Sequence, residues 1–340
     1  MATTDRVRWG ILSTANIGIH RFIPGAMASS NGTVTAIASR DQERAARAAA
    51  KLGIPRAYGS YDELLADPEI DAIYNPLPNT MHAEWTLRAA QAGKPILCEK
   101  PLTRDAAEAA SLVSACKEHG VLLMEAFMYR FHPQHARVRA LMEAGAIGEL
   151  RAIRSAFTFN MSPLNPANVR LQADLAGGAL MDVGCYCVNA ARLFFGEEPV
   201  SVSATWDFRP EYGVEIALVG GLTFSDGRTA IFDCGFRAAG QGSYTVVGTA
   251  GTIEVPAAFV PGTADTFVIL TDAKGRHEER IPGVDQYRLE AEEFASCLRE
   301  GRPLRYPPED AIANMRVLDA LTRSARASGL SQRVDKEGVS

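Results

Sequence analysis

The chain of 340 residues has little of what would make it basic, membrane-spanning or disulfide-bonded. It carries 35 lysines and arginines against 40 acidic residues, a formal net charge of -5, with no basic block anywhere. That removes the general electrostatic basis for holding nucleic acid or another polyanion. No apolar stretch reaches the roughly 20 residues that span a bilayer. The opening MATTDRVRWGIL passes from a strand-like run straight into Ser, Thr, Asn and Gly, which argues against a signal peptide. A soluble, cytoplasmic protein is expected. Six cysteines, Cys98, Cys116, Cys185, Cys187, Cys234 and Cys297, are too few for a disulfide framework in a chain this long. They lie mostly in apolar contexts and read as small core side chains. Internal repeats and low-complexity tracts are also missing.

What is present is ordinary globular composition, 47% hydrophobic and 22% charged, on a chain long enough for two cores. Over the first 125 or so residues, strand-like runs (VRWGIL, VTAIAS, DAIYN, PILCE, VLLMEA) alternate with Ala-rich helical runs that end in Gly. That alternation predicts an α/β Rossmann domain, a doubly wound parallel sheet covered on both faces, over residues 1-126. After about residue 150 the pattern becomes long alternating or β-branched runs such as VSVSATWDF, VEIALVGGLTF and TAIFDCGF, joined by short turns like Asp226-Gly227. Residues 127-340 are therefore expected to form an α+β domain with a large, mainly antiparallel open sheet. One helical segment, GGALMDVGCYCVNAARLFFG, precedes these strands. Two more close the chain and are candidates to pack back on the first domain.

The first strand is followed by STANIG, in which Ser13 and Ala15 stand where the dinucleotide fingerprint has its first two glycines and Gly18 keeps the third. Alone the match is weak. A turn at a helix N-terminus still presents backbone N–H groups to a pyrophosphate, and Ser and Ala add little bulk. Ser13, Thr14, Ala15, Asn16 and Ile17 are accordingly placed on the cofactor. The second strand ends in Ser39-Arg40 rather than the acidic residue that accepts from the ribose of NAD. A guanidinium and a hydroxyl suit a 2′-phosphate, which favours NADP, with NAD the alternative. The competing reading is that Asp41 caps the next helix and Arg40 lies in solvent.

The apolar run KPILCEKPL ends with Glu99 and Lys100 side by side, followed by Pro101. Most such Glu-Lys neighbours are solvated surface pairs. Here, however, YNPLPNTMHAEWTLRAAQAGKPILCEKPL, EAFMYRFHP and the glycine-led helix GGALMDVGCYCVNAARLFFG occur in an order that resembles the Gfo/Idh/MocA oxidoreductases over nearly the whole chain. The resemblance implies that Pro76, Leu77, Asn79, His82, Glu99 and Lys100 line the nicotinamide and its ribose, and that the Lys100-Pro101 bond is cis. An ammonium beside the nicotinamide polarises a substrate oxygen, and a cationic cofactor with partial burial is expected to press its pKa down. Asp182 and Tyr186, four apart on one helix face, complete the implied catalytic set: the phenol exchanges the proton and Asp182 binds a substrate hydroxyl. Arg130, Phe131 and Asn189 are assigned to the substrate, with packing as the alternative for Asn189. A lone His82 would more often be structural.

Tyr186 resembles the branch holding glucose-fructose oxidoreductase, dimeric dihydrodiol dehydrogenase and NADP-dependent D-xylose dehydrogenases. It implies NADP-linked oxidation of an aldose at C1. The alternatives are reduction of a keto-sugar, whether a nucleotide-linked deoxysugar or an anhydro-sugar, oxidation of a trans-dihydrodiol, and a cofactor-binding sensor without turnover. In the loop PLNPANVRLQADLA, Asn165, Asn168 and Arg170 either bind hydroxyls or satisfy the loop backbone. His132 and His135 have metal-pair spacing but no accompanying carboxylate or cysteine cluster, and Cys185 and Cys187 point to different sides of a helix, so no metal is expected. Strands apolar on both faces predict a homodimer, or a tetramer, through the second sheet.

Overall fold

The computed structural model describes residues 6–335, so the expected domain limits at 1 and 340 lie outside the described residues. The elements run β1 (Val7–Leu12), α1 (Ile23–Ala28), β2 (Gly32–Ala38), α2 (Gln42–Leu52), β3 (Arg56–Tyr58), α3 (Tyr61–Ala66), β4 (Ala72–Asn75), α4 (Asn79–Gln91), β5 (Ile96–Glu99), α5 (Ala106–Glu118) and β6 (Leu123–Ala126). Then come α6 (Pro133–Glu143), β7 (Leu150–Asn160), α7 (Cys185–Phe195), β8 (Ser201–Arg209), β9 (Val214–Thr223), β10 (Thr229–Gly235) and β11 (Arg237–Gly248). The chain closes with β12 (Gly251–Val255), β13 (Thr266–Asp272), β14 (Gly275–Ile281), α8 (Gln286–Glu300), α9 (Glu309–Arg326) and β15 (Gln332–Arg333).

The chain divides into two compact units: one holds everything up to Met128 plus Asp285–Ile312, the other Tyr129–Val284 and the residues from Ala313 on. In the first, six parallel strands take the order β3-β2-β1-β4-β5-β6, the doubly wound sheet expected. Every residue of β4 and β5 is buried, as a sheet covered on both faces requires. One face packs Leu64, Trp85, Ala89, Leu112 and Cys116 from α3, α4 and α5 against Ile73, Ile96 and Leu123 of the strands. On the other, Trp9 lies with its ring 5.2 Å from those of Phe22 and Phe294, the latter on α8. Helix starts are written locally: Asp41, Ser60 and Asp105 each accept from the backbone N–H three residues on, at 3.0, 3.2 and 2.8 Å. Such caps contribute about 1 kcal/mol each.

The second unit carries nine strands in the order β14-β13-β12-β11-β7-β10-β9-β8-β15, antiparallel except for β7 with β10. Helix α6 was not among the expected elements; Pro133 stands in its first turn and the His132 ring accepts from Gln134 N, both start signals that the aromatic run MYRFHP obscures. One face of β9 and β10 is buried through Ile216, Leu218, Leu222, Ala230 and Phe232. The other presents Val219 and Ile231, 59% and 54% exposed, with Thr205 paired to Val219 and Arg154 to Ile231. Alternation is therefore cleaner than the apolar runs suggested. All six cysteines are buried and none forms a disulfide, as expected of core side chains.

The core of the first unit contains one costly group. Glu290 of α8 is fully buried, and neither carboxyl oxygen has a hydrogen-bond partner. Burial, with the charge of Glu99 adding to it, pushes its pKa well above the ordinary carboxylate value. Between that ordinary value, 4.5, and the folded value, the folded chain holds a proton that the unfolded chain releases, so stability falls as pH rises through this window. Glu290→Gln removes the titration. Thermal melts are expected to show the variant gaining on wild type as pH rises above about 5, by at most about 1.4 kcal/mol per pH unit; a pH-independent difference would show that Glu290 ionises normally.

Candidate active site

A parallel sheet brings the C-terminal ends of its strands to one edge, and the first unit's site residues sit there. Ser13 takes the first glycine position with φ 74°, the left-handed conformation a glycine would supply, and its Oγ accepts from Ala15 N at 3.3 Å. Thr14 is buried behind this turn, Ala15 and Ile17 are half-buried and Asn16 is exposed. A π turn, Gly18–Phe22, leads from it into α1. At the end of β2, Asp41 caps α2 and Arg40 is exposed, both as the competing reading held. Arg40 and Arg44 both act on Tyr61, countering the rise in its pKa that burial causes. Arg44 was not anticipated; its only signal was its position one turn beyond Arg40.

Beyond β4, Pro76 and Leu77 are buried and Asn79 begins α4 half-buried. At the end of β5 the phenol of Tyr74 donates to Glu99 Oε1 at 2.6 Å, and Lys100 N donates to Glu99 Oε2 at 3.2 Å. Tyr74 is fully buried, and burial, reinforced by the Glu99 charge, pushes its pKa well up, so it stays a donor. The Lys100-Pro101 peptide is cis, as the resemblance implied. Leu102 N beyond it donates to Glu125 Oε1 at 2.8 Å.

His82 requires a correction. It is 1% exposed, and its ring nitrogens lie 2.7 Å from Leu77 O and 2.9 Å from Pro101 O. The ring sits between the β4 tip and the cis-proline turn with a carbonyl oxygen against each nitrogen, and as a neutral imidazole it donates to one of them. Burial lowers its pKa, against the pull of the two carbonyls.

In the second unit, Asp182 lies in a π turn, Leu180–Gly184, closed by Cys185 N on Leu180 O, and Tyr186 is in the first turn of α7. Spacing alone did not reveal this wider turn, a feature frequent at functional sites. Tyr186 is 4% exposed, its ring 5.2 Å from Phe157, 5.6 Å from Phe259 and 5.8 Å from Tyr129. Arg170 Nε donates to Asp182 Oδ2 at 2.6 Å. Glu215, an acid within the apolar strand β9, accepts from Leu180 N at 2.8 Å and fixes the start of the turn. Gly178 lies between them at φ 109°, where a Cβ would sit 2.6 Å from Glu215 Oε1. The one sequence signal for Glu215 was a charge where its neighbours are apolar.

Asn189 takes the packing alternative. It is fully buried, accepts from the Tyr129 hydroxyl at 2.7 Å and has Nδ2 3.5 Å from Asn314 Oδ1, so it packs and holds Tyr129 rather than meeting substrate. Arg130 and Phe131 are buried in the 3₁₀ turn Met128–Phe131. His135 sits 2.8 Å from the Tyr244 hydroxyl and 3.1 Å from Ala258 O. Among the described residues no group of three or more His, Cys, Asp or Glu side chains is placed to hold a metal ion.

Two family models match: an oxidoreductase family NAD-binding Rossmann fold over residues 7–127 and a GFO/IDH/MocA C-terminal domain over residues 135–254. D-xylose 1-dehydrogenase (NADP(+)) 2 of Haloferax volcanii is 43% identical over 319 residues, covering 93% of this chain and 97% of that one. A 3-ketoreductase from Actinomadura kijaniata, solved with NADP and TDP-benzene, superposes with a TM-score of 0.89 at 34% identity, covering 94% and 98% of the two chains. An aldose-aldose oxidoreductase from Caulobacter crescentus, solved with glycerol, also gives 0.89, at 27% identity over 96% of this chain and 99% of that one.

Proposed function

Because the chain belongs to the GFO/IDH/MocA oxidoreductase family, we propose that it moves a hydride between NADP and C1 of a neutral aldose such as D-xylose or D-glucose. The observation that carries this reading is the Glu99-Lys100-cis-Pro101 turn, braced by Tyr74 and His82, in a chain that also presents Asp182 and Tyr186 from one short helical stretch. Similarity to the Haloferax xylose dehydrogenase along almost the whole length of both chains supports the substrate class.

NADP supplies the hydride acceptor. Lys100 places its positive charge at the substrate oxygen and favours its deprotonation. Tyr186, acting as the phenolate that the Lys100 charge favours, takes the proton of the C1 hydroxyl while the C1 hydrogen leaves as hydride to the nicotinamide and the carbon–oxygen double bond of the lactone forms. Asp182 accepts from a neighbouring hydroxyl and fixes the sugar ring's orientation. Arg40, with Arg44 beside it, pairs with the cofactor's 2′-phosphate. The same residues run the reverse reaction on a keto-sugar, and the likeness to the Actinomadura 3-ketoreductase favours that as the second reading.

NADP reduction followed with a panel of aldoses is expected to show pentose or hexose turnover, faster with NADP than NAD, that preference lost in Arg40→Ala. Lys100→Ala and Tyr186→Phe should each lower kcat by about 10²- to 10⁴-fold while NADPH still binds. Full activity in either variant would remove that residue from the chemistry.

The open face of the second sheet supports a homodimer, since Val219 and Ile231 stand exposed on adjacent strands. Size-exclusion chromatography should give a dimer or larger species at micromolar concentration and a monomer for the Val219→Glu, Ile231→Glu double variant; a monomeric wild type would refute it.

A further inference from the structure

In the loop of residues 163–176 the structure separates Asn165, Asn168 and Arg170, the candidates to meet a hydroxyl. Asn165 Oδ1 accepts from Ala167 N at 3.0 Å and Asn168 Oδ1 from Arg170 N at 3.1 Å, so both asparagine oxygens are spent on the loop's own turns. Arg170 is placed differently. Its carbonyl accepts from Gly178 N at 2.9 Å, and Gly177 allows that approach, since a Cβ there would lie 2.6 Å from the same oxygen. Gly178 and Leu180 are in turn seated on the buried carboxylate of Glu215. The side chain spans back to Asp182, its guanidinium carbon 5.6 Å from the Phe159 ring centroid.

The arginine is thus tied down at its backbone and at Nε, while its side chain stays 40% exposed. A guanidinium has five N–H groups, and the bond to Asp182 engages only the one on Nε. We propose that Arg170 is a second substrate-reading side chain, acting with Asp182 as a fixed donor–acceptor pair that selects a neutral ligand with adjacent hydroxyls. This rests on the reading of Asp182 as a substrate residue.

The chemistry of the pair decides the class. A hydroxyl both donates and accepts, so two neighbouring hydroxyls satisfy a carboxylate and a guanidinium together. The pair has no net charge, so a phosphate or carboxylate on the ligand loses to Asp182 what it gains from Arg170, and an apolar ring would strip water from the remaining guanidinium N–H groups without replacing its hydrogen bonds, which is the costlier outcome. Because Glu215 and the glycine pair hold the frame, little ordering remains when the ligand arrives.

The test uses the full-length protein and D-xylose, its monodeoxy analogues and xylitol. Arg170→Ala should raise KM for xylose about 10- to 100-fold with kcat changed only a few-fold and NADPH affinity unchanged. On the analogue lacking the hydroxyl that Arg170 reads, the penalty should shrink to about threefold or less. An equal penalty on every analogue, or a lowered melting temperature with KM unchanged, would make Arg170 a loop staple and overturn the inference. If wild type oxidises no aldose, the proposed reaction fails separately, and xylitol binding by NMR with NADPH present decides: binding lost in Arg170→Ala supports the assignment, whereas equal binding, or none in wild type, overturns it.

Discussion

The 2.6 Å hydrogen bond from Tyr74 to Glu99 is where the first unit's core and its chemistry meet. Tyr74 belongs to a strand buried from end to end, stacked on Phe22 with ring centroids 3.7 Å apart, so the phenol cannot swing away. Its position fixes Glu99, Glu99 receives Lys100 N, and the cis turn follows. His82 fills the other side, wedged between the carbonyls of Leu77 and Pro101. A lysine on a freely moving turn would lose most of its effect on a substrate oxygen, because preorganised charge is what lowers a barrier.

The second unit solves an equivalent problem with different material. A short helix carrying an acid and a phenol has to start at a defined place, and its first turn is π rather than α, so ordinary helix geometry does not position it. Glu215 reaches out of the sheet to hold Leu180 N, and the glycine pair lets Arg170 and Glu215 approach the backbone more closely than any side chain would permit. Three aromatic rings, Tyr129, Phe157 and Phe259, then surround the Tyr186 phenol. Buried polar atoms here are costly if unpaired, which explains why Asn189 is spent on the Tyr129 hydroxyl.

Much of this was legible in the sequence because it is periodic or local. The alternation of short strands and alanine-rich helices gave the first sheet, and Asp41 marked a helix start that the structure places at the same residue. The strand tip with its Glu-Lys-Pro and the later Asp and Tyr stood out because of their spacing and order. The residues whose role sequence alone leaves open depend on contacts distant in the chain. His82 looks available until Leu77 and Pro101 are seen on its two nitrogens, and Asn189 until Tyr129 and Asn314 are seen around it. Glu215 and Glu290 are acids whose burial is set by the sheet and by a helix returning from late in the chain. Glu290 is not signalled by its neighbours in sequence, and Glu215 only by being an acid among apolar ones.

Transfer of deuterium from C1-deuterated D-xylose would decide the reaction. Hydride transfer predicts that the label appears on the reduced nicotinamide and that the deuterated sugar turns over more slowly than the ordinary one. NADPH that forms without the label, or a protein that binds NADPH and leaves the sugar unchanged, would contradict oxidation of an aldose at C1.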